Sequence, residues 1–155
     1  MVIADTGFWL ALLNRRDRHH DAARKAQEGL DEGLVTTWPV VTETCHLLLS
    51  HLGTPAQKAF LEAWHAGAFA VQDISDRDAP RLIRLMSDYA DLPMDLADAS
   101  LVVLAERLGH GRILSTDERD FRRPFGFRNV LFHVAIPRRN LPVPRSESAP
   151  REELV

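Results

Sequence analysis

Short apolar runs alternate along this chain with longer segments whose apolar residues recur at helical spacing. Val2-Ile3-Ala4 reads as a short buried strand. Phe8-Trp9-Leu10-Ala11-Leu12-Leu13 reads as the helix after it, broken by Asn14-Arg15-Arg16-Asp17. From about Arg18 to Leu30, Ala22, Ala23, Ala26 and Leu30 fall at helical spacing, and Gly29 and Gly33 bracket the end. Leu34-Val35-Thr36-Thr37 is short and β-branched, which predicts a second strand. Pro39 suits the first turn of a helix, with Val40, Val41, Thr44, Cys45, Leu48 and Leu49 as its expected buried stripe. Thr54-Pro55 opens another, carrying Ala59, Phe60, Ala63 and Trp64 on one face and closed by Gly67.

Ala68-Phe69-Ala70-Val71 predicts a third strand. Asp78 and Pro80 open an amphipathic helix with Ala79, Leu82, Ile83 and Met86. Met94 to Leu108 is apolar nearly all round, so this helix should be sandwiched between other elements. Arg112 to Ser115 and Asn129 to Val134 predict the fourth and fifth strands. From Pro137 the residues are mostly Pro, Arg, Ser and Glu, so 137–155 reads as a disordered or partner-bound tail behind one domain spanning 1–136. Strands alternating with helices predict an α/β fold: a mainly parallel sheet of four to five strands with helices on both faces. Ligands of such sheets bind beyond the carboxyl ends of the strands.

Composition narrows the function classes. The 155 residues suit one core, and 45% hydrophobic with 26% charged is ordinary for a globular domain. A net charge of −3 argues against a dedicated DNA-binding module, which carries a strongly basic face. Only Lys25 and Lys58 are lysines; the remaining basic residues are arginines, which suit phosphate but also follow from a GC-rich coding bias. Cys45 stands alone, so neither an internal disulfide nor a thiolate zinc cluster can form, and a reducing cytoplasm is the expected compartment. No apolar run reaches the ~18–20 residues a membrane span requires, and no signal peptide is expected at the start.

The candidate chemistry is acidic. Asp5 ends the first strand, Asp117 follows the fourth, and Glu43 and Asp98 lie in the first turns of two apolar helices. Each has a bland explanation: Asp5 and Asp117 can cap helices or turns, and Asp95, three residues before Asp98, is well explained as an N-cap. Glu43 and Asp98 are harder to dismiss, because a carboxylate among apolar residues needs a partner. Convergence of all four would need a cation to offset their repulsion, and a hard, oxygen-seeking Mg²⁺ or Mn²⁺ suits carboxylates. The histidines offer no such site: His19 and His20 are adjacent, and His46 and His51 are five apart.

Ile3-Ala4-Asp5-Thr6-Gly7, Val41-Thr42-Glu43, Leu96-Ala97-Asp98-Ala99-Ser100, Ile113-Leu114-Ser115-Thr116-Asp117 and Asp120-Phe121 together resemble the PIN-domain family. The resemblance is specifically to the VapC-type toxin ribonucleases of VapBC toxin–antitoxin pairs, and it runs from Met1 to about Val134. It implies a PIN-like three-layer sandwich and an acidic cluster of Asp5, Glu43, Asp98 and Asp117. Thr6 and Ser115 would line the site; the family more often has threonine where Ser115 stands. Asp5 and Asp98 would hold Mg²⁺ or Mn²⁺ directly, with Glu43 and Asp117 completing the shell, orienting water or helping a second ion. Metal-activated water would cut RNA to leave a 5′-phosphate and a 3′-hydroxyl. Arg15, Arg16, Arg119 and Arg122 are candidates to position the RNA backbone. The resemblance further implies a homodimer and a VapB-like antitoxin lying across the groove; Trp38, Phe60 and Trp64 would suit a protein interface if exposed, or a core if not.

Three other readings compete. A haloacid-dehalogenase-type phosphatase wants Asp-x-Asp, but Thr6-Gly7 follows Asp5. A non-catalytic PIN-fold binding module would show a lost acid, and none is lost. A housekeeping RNA-maturation nuclease would share every residue of the site with a toxin.

Overall fold

The computed structural model describes residues 1–90 and 94–116. Among these residues, four strands form one parallel sheet: β1 (Val2–Ala4), β2 (Leu34–Thr37), β3 (Phe69–Gln72) and β4 (Ile113–Leu114), in the order β3-β2-β1-β4. Six helices connect them: α1 (Thr6–Leu13), α2 (His20–Glu28), α3 (Trp38–Leu52), α4 (Thr54–His65), α5 (Ala79–Asp88) and α6 (Leu96–Leu108). Successive strand residues point to opposite faces, and all four residues of β2 are buried. Both faces of the sheet are therefore covered, as the alternating pattern predicted. The expected fifth strand Asn129–Val134 and the tail 137–155 lie outside the described residues.

From β1 the chain steps outward to β2 and β3, then returns to the other side of β1 with β4. The order reverses beside β1, where α/β sheets open a crevice. Ile3 pairs with Ile113 and Ala4 with Leu114, so Asp5 and Ser115 leave the sheet side by side.

The core explains the helix pattern. Trp9 of α1 meets Phe8 beside it, Phe60 of α4 and Phe69 of β3, with Trp9 and Phe69 ring centroids 4.5 Å apart. Such pairs contribute about 0.5–1.5 kcal/mol beyond burial. In α6, Ala97 and every residue from Ala99 to Ala105 are buried, so this helix is sandwiched as its composition predicted.

Several expected core positions turn outward, Ala59 and Ala79 among them. Leu49 is 45% and Ile83 65% exposed, while Leu85, absent from the expected stripe, is 1% exposed. On α5 the face toward α6 runs through Leu82, Leu85 and Met86, and Ile83 lies about 100° from Leu82. The aromatics divide: Phe60 is core, while Trp38 and Trp64 pair edge to face at the surface, centroids 5.0 Å apart. Among the described residues, no helix is long and apolar enough to cross a membrane.

Candidate active site

Asp5 is buried at 8% exposure, where β1 turns into α1. Its Oδ1 accepts the Phe8 amide at 2.7 Å, so the capping role foreseen for it is real. Its own amide donates to the Leu114 carbonyl at 3.1 Å, which fixes the carboxylate beside Ser115, itself buried. The next residue, Thr6, donates its hydroxyl proton to Glu43 in a short hydrogen bond. That bond joins the start of α1 to the second turn of α3 across 37 residues of sequence and brings Asp5, Thr6, Glu43 and Ser115 into one neighbourhood.

Asp98 reaches the same edge of the sheet by another route. Asp95 caps α6, accepting the Asp98 amide at 2.9 Å, so the capping reading of Asp95 holds as well. Two residues on, the Ser100 hydroxyl gives its proton to the Ala97 carbonyl. It lies 2.6 Å from the Thr37 hydroxyl, so Thr37 is the donor of that pair. Thr36 in turn donates to the Ala4 carbonyl at 2.8 Å. This relay of buried hydroxyls ties the first turns of α6 to the ends of β2 and β1.

Sequence reasoning missed the relay, although Thr36-Thr37 and Ser100 are hydroxyls in otherwise apolar surroundings. It also missed Gly7: a Cβ there would lie 2.2 Å from Thr116 Oγ1, so α1 can approach the end of β4 only without a side chain.

Asp117, Arg119 and Arg122 lie outside the described residues. Among the described residues, no three His, Cys, Asp or Glu side chains form a group able to hold a metal ion. The donor chemistry nevertheless fits a hard cation: the acids gathered at this edge are carboxylates, and buried hydroxyls flank them. Asp5 and Asp98 sit where helices begin, and helix N-termini carry partial positive charge that offsets part of the acids' repulsion; Glu43 lies one turn further in.

Cys45 does not join the site. Burial pushes its thiol pKa up, which keeps it protonated and a poor nucleophile. Arg15 and Arg16 are exposed beyond the far end of α1, one helix length from Asp5. Beside Glu43, a cleft of about 650 Å³ opens between the first turns of α3 and α6.

A family model described as PIN domain matches residues 2–125. Ribonuclease VapC26 of Mycobacterium tuberculosis is 30% identical over 127 residues, covering 81% of this chain and 94% of that protein. Among solved structures, VapC20 of M. tuberculosis, described as a sarcin-ricin loop cleaving toxin, aligns with a TM-score of 0.74. That match is 19% identical and covers 81% of this chain and 96% of the other. A chain of a toxin–antitoxin complex from Klebsiella pneumoniae aligns with a TM-score of 0.62 at 18% identity, covering 86% and 100%. At such identities the structural likeness speaks for the fold.

Proposed function

Because this chain belongs to the PIN-domain family, we propose that it is a metal-dependent endoribonuclease, the toxin of a VapBC-type toxin–antitoxin pair. The observation that carries this reading is the meeting of Asp5, Thr6, Glu43 and Ser115 at the point where the strand order reverses. Its toxin role rests on the similarity to Ribonuclease VapC26 over nearly all of that protein's length. A housekeeping role in RNA maturation would use the same site and is not favoured by that relative.

In this reading Asp5 and Asp98 hold Mg²⁺ or Mn²⁺, with Glu43 and Asp117 beside them. When bound, such an ion supplies a water of lowered pKa and polarises the scissile phosphate. The protein's own groups do the positioning. Thr6 holds the Glu43 carboxylate in one orientation, so that carboxylate is ordered before substrate arrives. Asp5 is fixed through its backbone bond to β4 and its cap on α1. The N-termini of α1 and α6, capped by Asp5 and Asp95, offset part of the negative charge of those carboxylates. An RNA substrate, a VapB-like antitoxin and a homodimer are the partners of this reading. Trp64 and Leu61, exposed on α4, offer an apolar surface for a protein contact.

The test is cleavage of total bacterial RNA by purified protein with Mg²⁺, with Mn²⁺ and with EDTA, beside Asp98→Asn. Discrete metal-dependent cuts are expected, lost by at least about a hundredfold in the variant. Equal activity of the two proteins, or cuts that persist in EDTA, would sink the reading.

A further inference from the structure

The cleft beside Glu43 has walls of two kinds. Trp38, Ile74 and Leu96 supply apolar surface, and Trp38 and Leu96 are exposed at 38% and 49%. The ring of Trp38 is held by Trp64 at an interplanar angle of 82°. Among the described residues, its ionisable lining is the carboxylates of Glu43, Asp73 and Asp95 with the imidazole of His46, and neither lysine nor arginine lines it. Such a cleft repels a phosphate chain. It accepts a flat, apolar body whose edge carries N–H donors.

We propose that this cleft is a base-binding subsite that seats one unstacked guanine of the RNA beside the bond to be cut. The inference rests on the nuclease reading and adds what the substrate must present. Single-stranded RNA is recognised through bases stacked on aromatic rings and hydrogen-bonded at their edges, and stacking contributes about 1–3 kcal/mol per base. Trp38, already fixed by Trp64, gives a base a platform that costs little further ordering. Guanine presents two adjacent donors, the ring N1–H and the exocyclic amine, which match the two oxygens of one carboxylate. Cytosine and adenine each place a ring acceptor next to their amine. Uracil places its one N–H between two carbonyls, which a carboxylate repels. Continuity with Glu43, bonded to Thr6, sets the seated base next to the acids at the end of β1.

The experiment titrates the full-length protein in EDTA with guanosine, cytidine, adenosine and uridine while following tryptophan emission. Free nucleosides carry no phosphate, and EDTA removes the metal, so the result is independent of cleavage. Guanosine is expected to quench most tightly, roughly tenfold or more ahead of uridine. Quenching should disappear in Trp38→Phe. The guanosine preference should collapse in Asp73→Asn/Asp95→Asn, in which asparagine keeps the cap on α6.

Equal response to all four nucleosides, or quenching that survives Trp38→Phe, overturns the proposal. So does saturable binding of an arginine-rich apolar peptide where no nucleoside binds, which would assign the cleft to a protein segment. Absent guanosine selectivity beside intact metal-dependent cleavage defeats the subsite alone. Absent cleavage beside guanosine selectivity defeats the nuclease reading alone.

Discussion

At Gly7 an added methyl would lie 2.2 Å from Thr116 Oγ1 and 3.5 Å from Asp5 Oδ1. In most helices Gly→Ala stabilises by about 0.5–1 kcal/mol, since glycine loses more backbone entropy on folding. Here the contact reverses the sign, because threonine's β-branched side chain has few rotamers to retreat into. Gly7→Ala is expected to destabilise by about 1–3 kcal/mol, read as a fall in the urea midpoint. Gly7→Ala/Thr116→Ala should recover most of the loss. A midpoint that rises in the single variant would show that the end of β4 yields freely. The sequence displayed the candidate acids and the caps Asp5 and Asp95, since each stands beside an abrupt change of pattern. It did not display the Gly7–Thr116 contact or the Thr6–Glu43 bond, because residues 109 and 37 positions apart carry no local mark of meeting.

At the scale of elements, periodicity placed all six described helices and all four described strands, with ends shifted by a few residues. Its errors concern which face is buried. Leu49 and Ile83 are apolar and well spaced, yet each sits at the edge of its stripe, and the neighbouring helix decides which side of that edge is covered. On α5, Leu85→Ala is expected to cost about 2–5 kcal/mol, as for a leucine lost from a filled core, while Ile83→Ser should cost about 0.5 kcal/mol or less. Equal thermal shifts of the two variants would contradict the facing of α5 against α6. The aromatic cluster follows the same logic: Phe60 and Trp64 share a helix, but only Phe60 meets Trp9 and Phe69.

Across the whole molecule the two edges of the sheet are built for different tasks. At the amino edge, Glu32 accepts from the Met1 ammonium at 2.8 Å and from Arg112, tying the starts of β1, β2 and β4 together. The hydrogen bonds from the N-terminal ammonium and from Arg112 lower the Glu32 pKa from 4.5 to about 2. A folded-state pKa below the unfolded one contributes stability that is full above about pH 4.5 and is lost as pH falls toward 2. Glu32→Gln is therefore expected to lower the melting temperature at pH 7 and to narrow its gap to wild type as pH drops from 4.5 to 2. Asp78, lowered by the Ser75 amide and by Arg107, titrates in the same sense in both proteins and so cancels in that difference. A gap that stays constant with pH would refute the clamp. The exposed ion pairs Arg24–Glu28 and Lys58–Glu62 add little, since solvent screens them.

The sequence by itself determined the alternation of strands and helices, the parallel sheet and the residue types gathered at its carboxyl edge, because periodicity and backbone chemistry are local properties of the chain. Only the tertiary structure decided the strand order β3-β2-β1-β4, which makes the crevice fall beside β1. It also decided the Thr37–Ser100 and Thr6–Glu43 bonds and the exposure of Trp38 beside a cleft lined with carboxylates. Those depend on which surfaces bury each other across long stretches of sequence, and burial is settled by the packing of the whole domain.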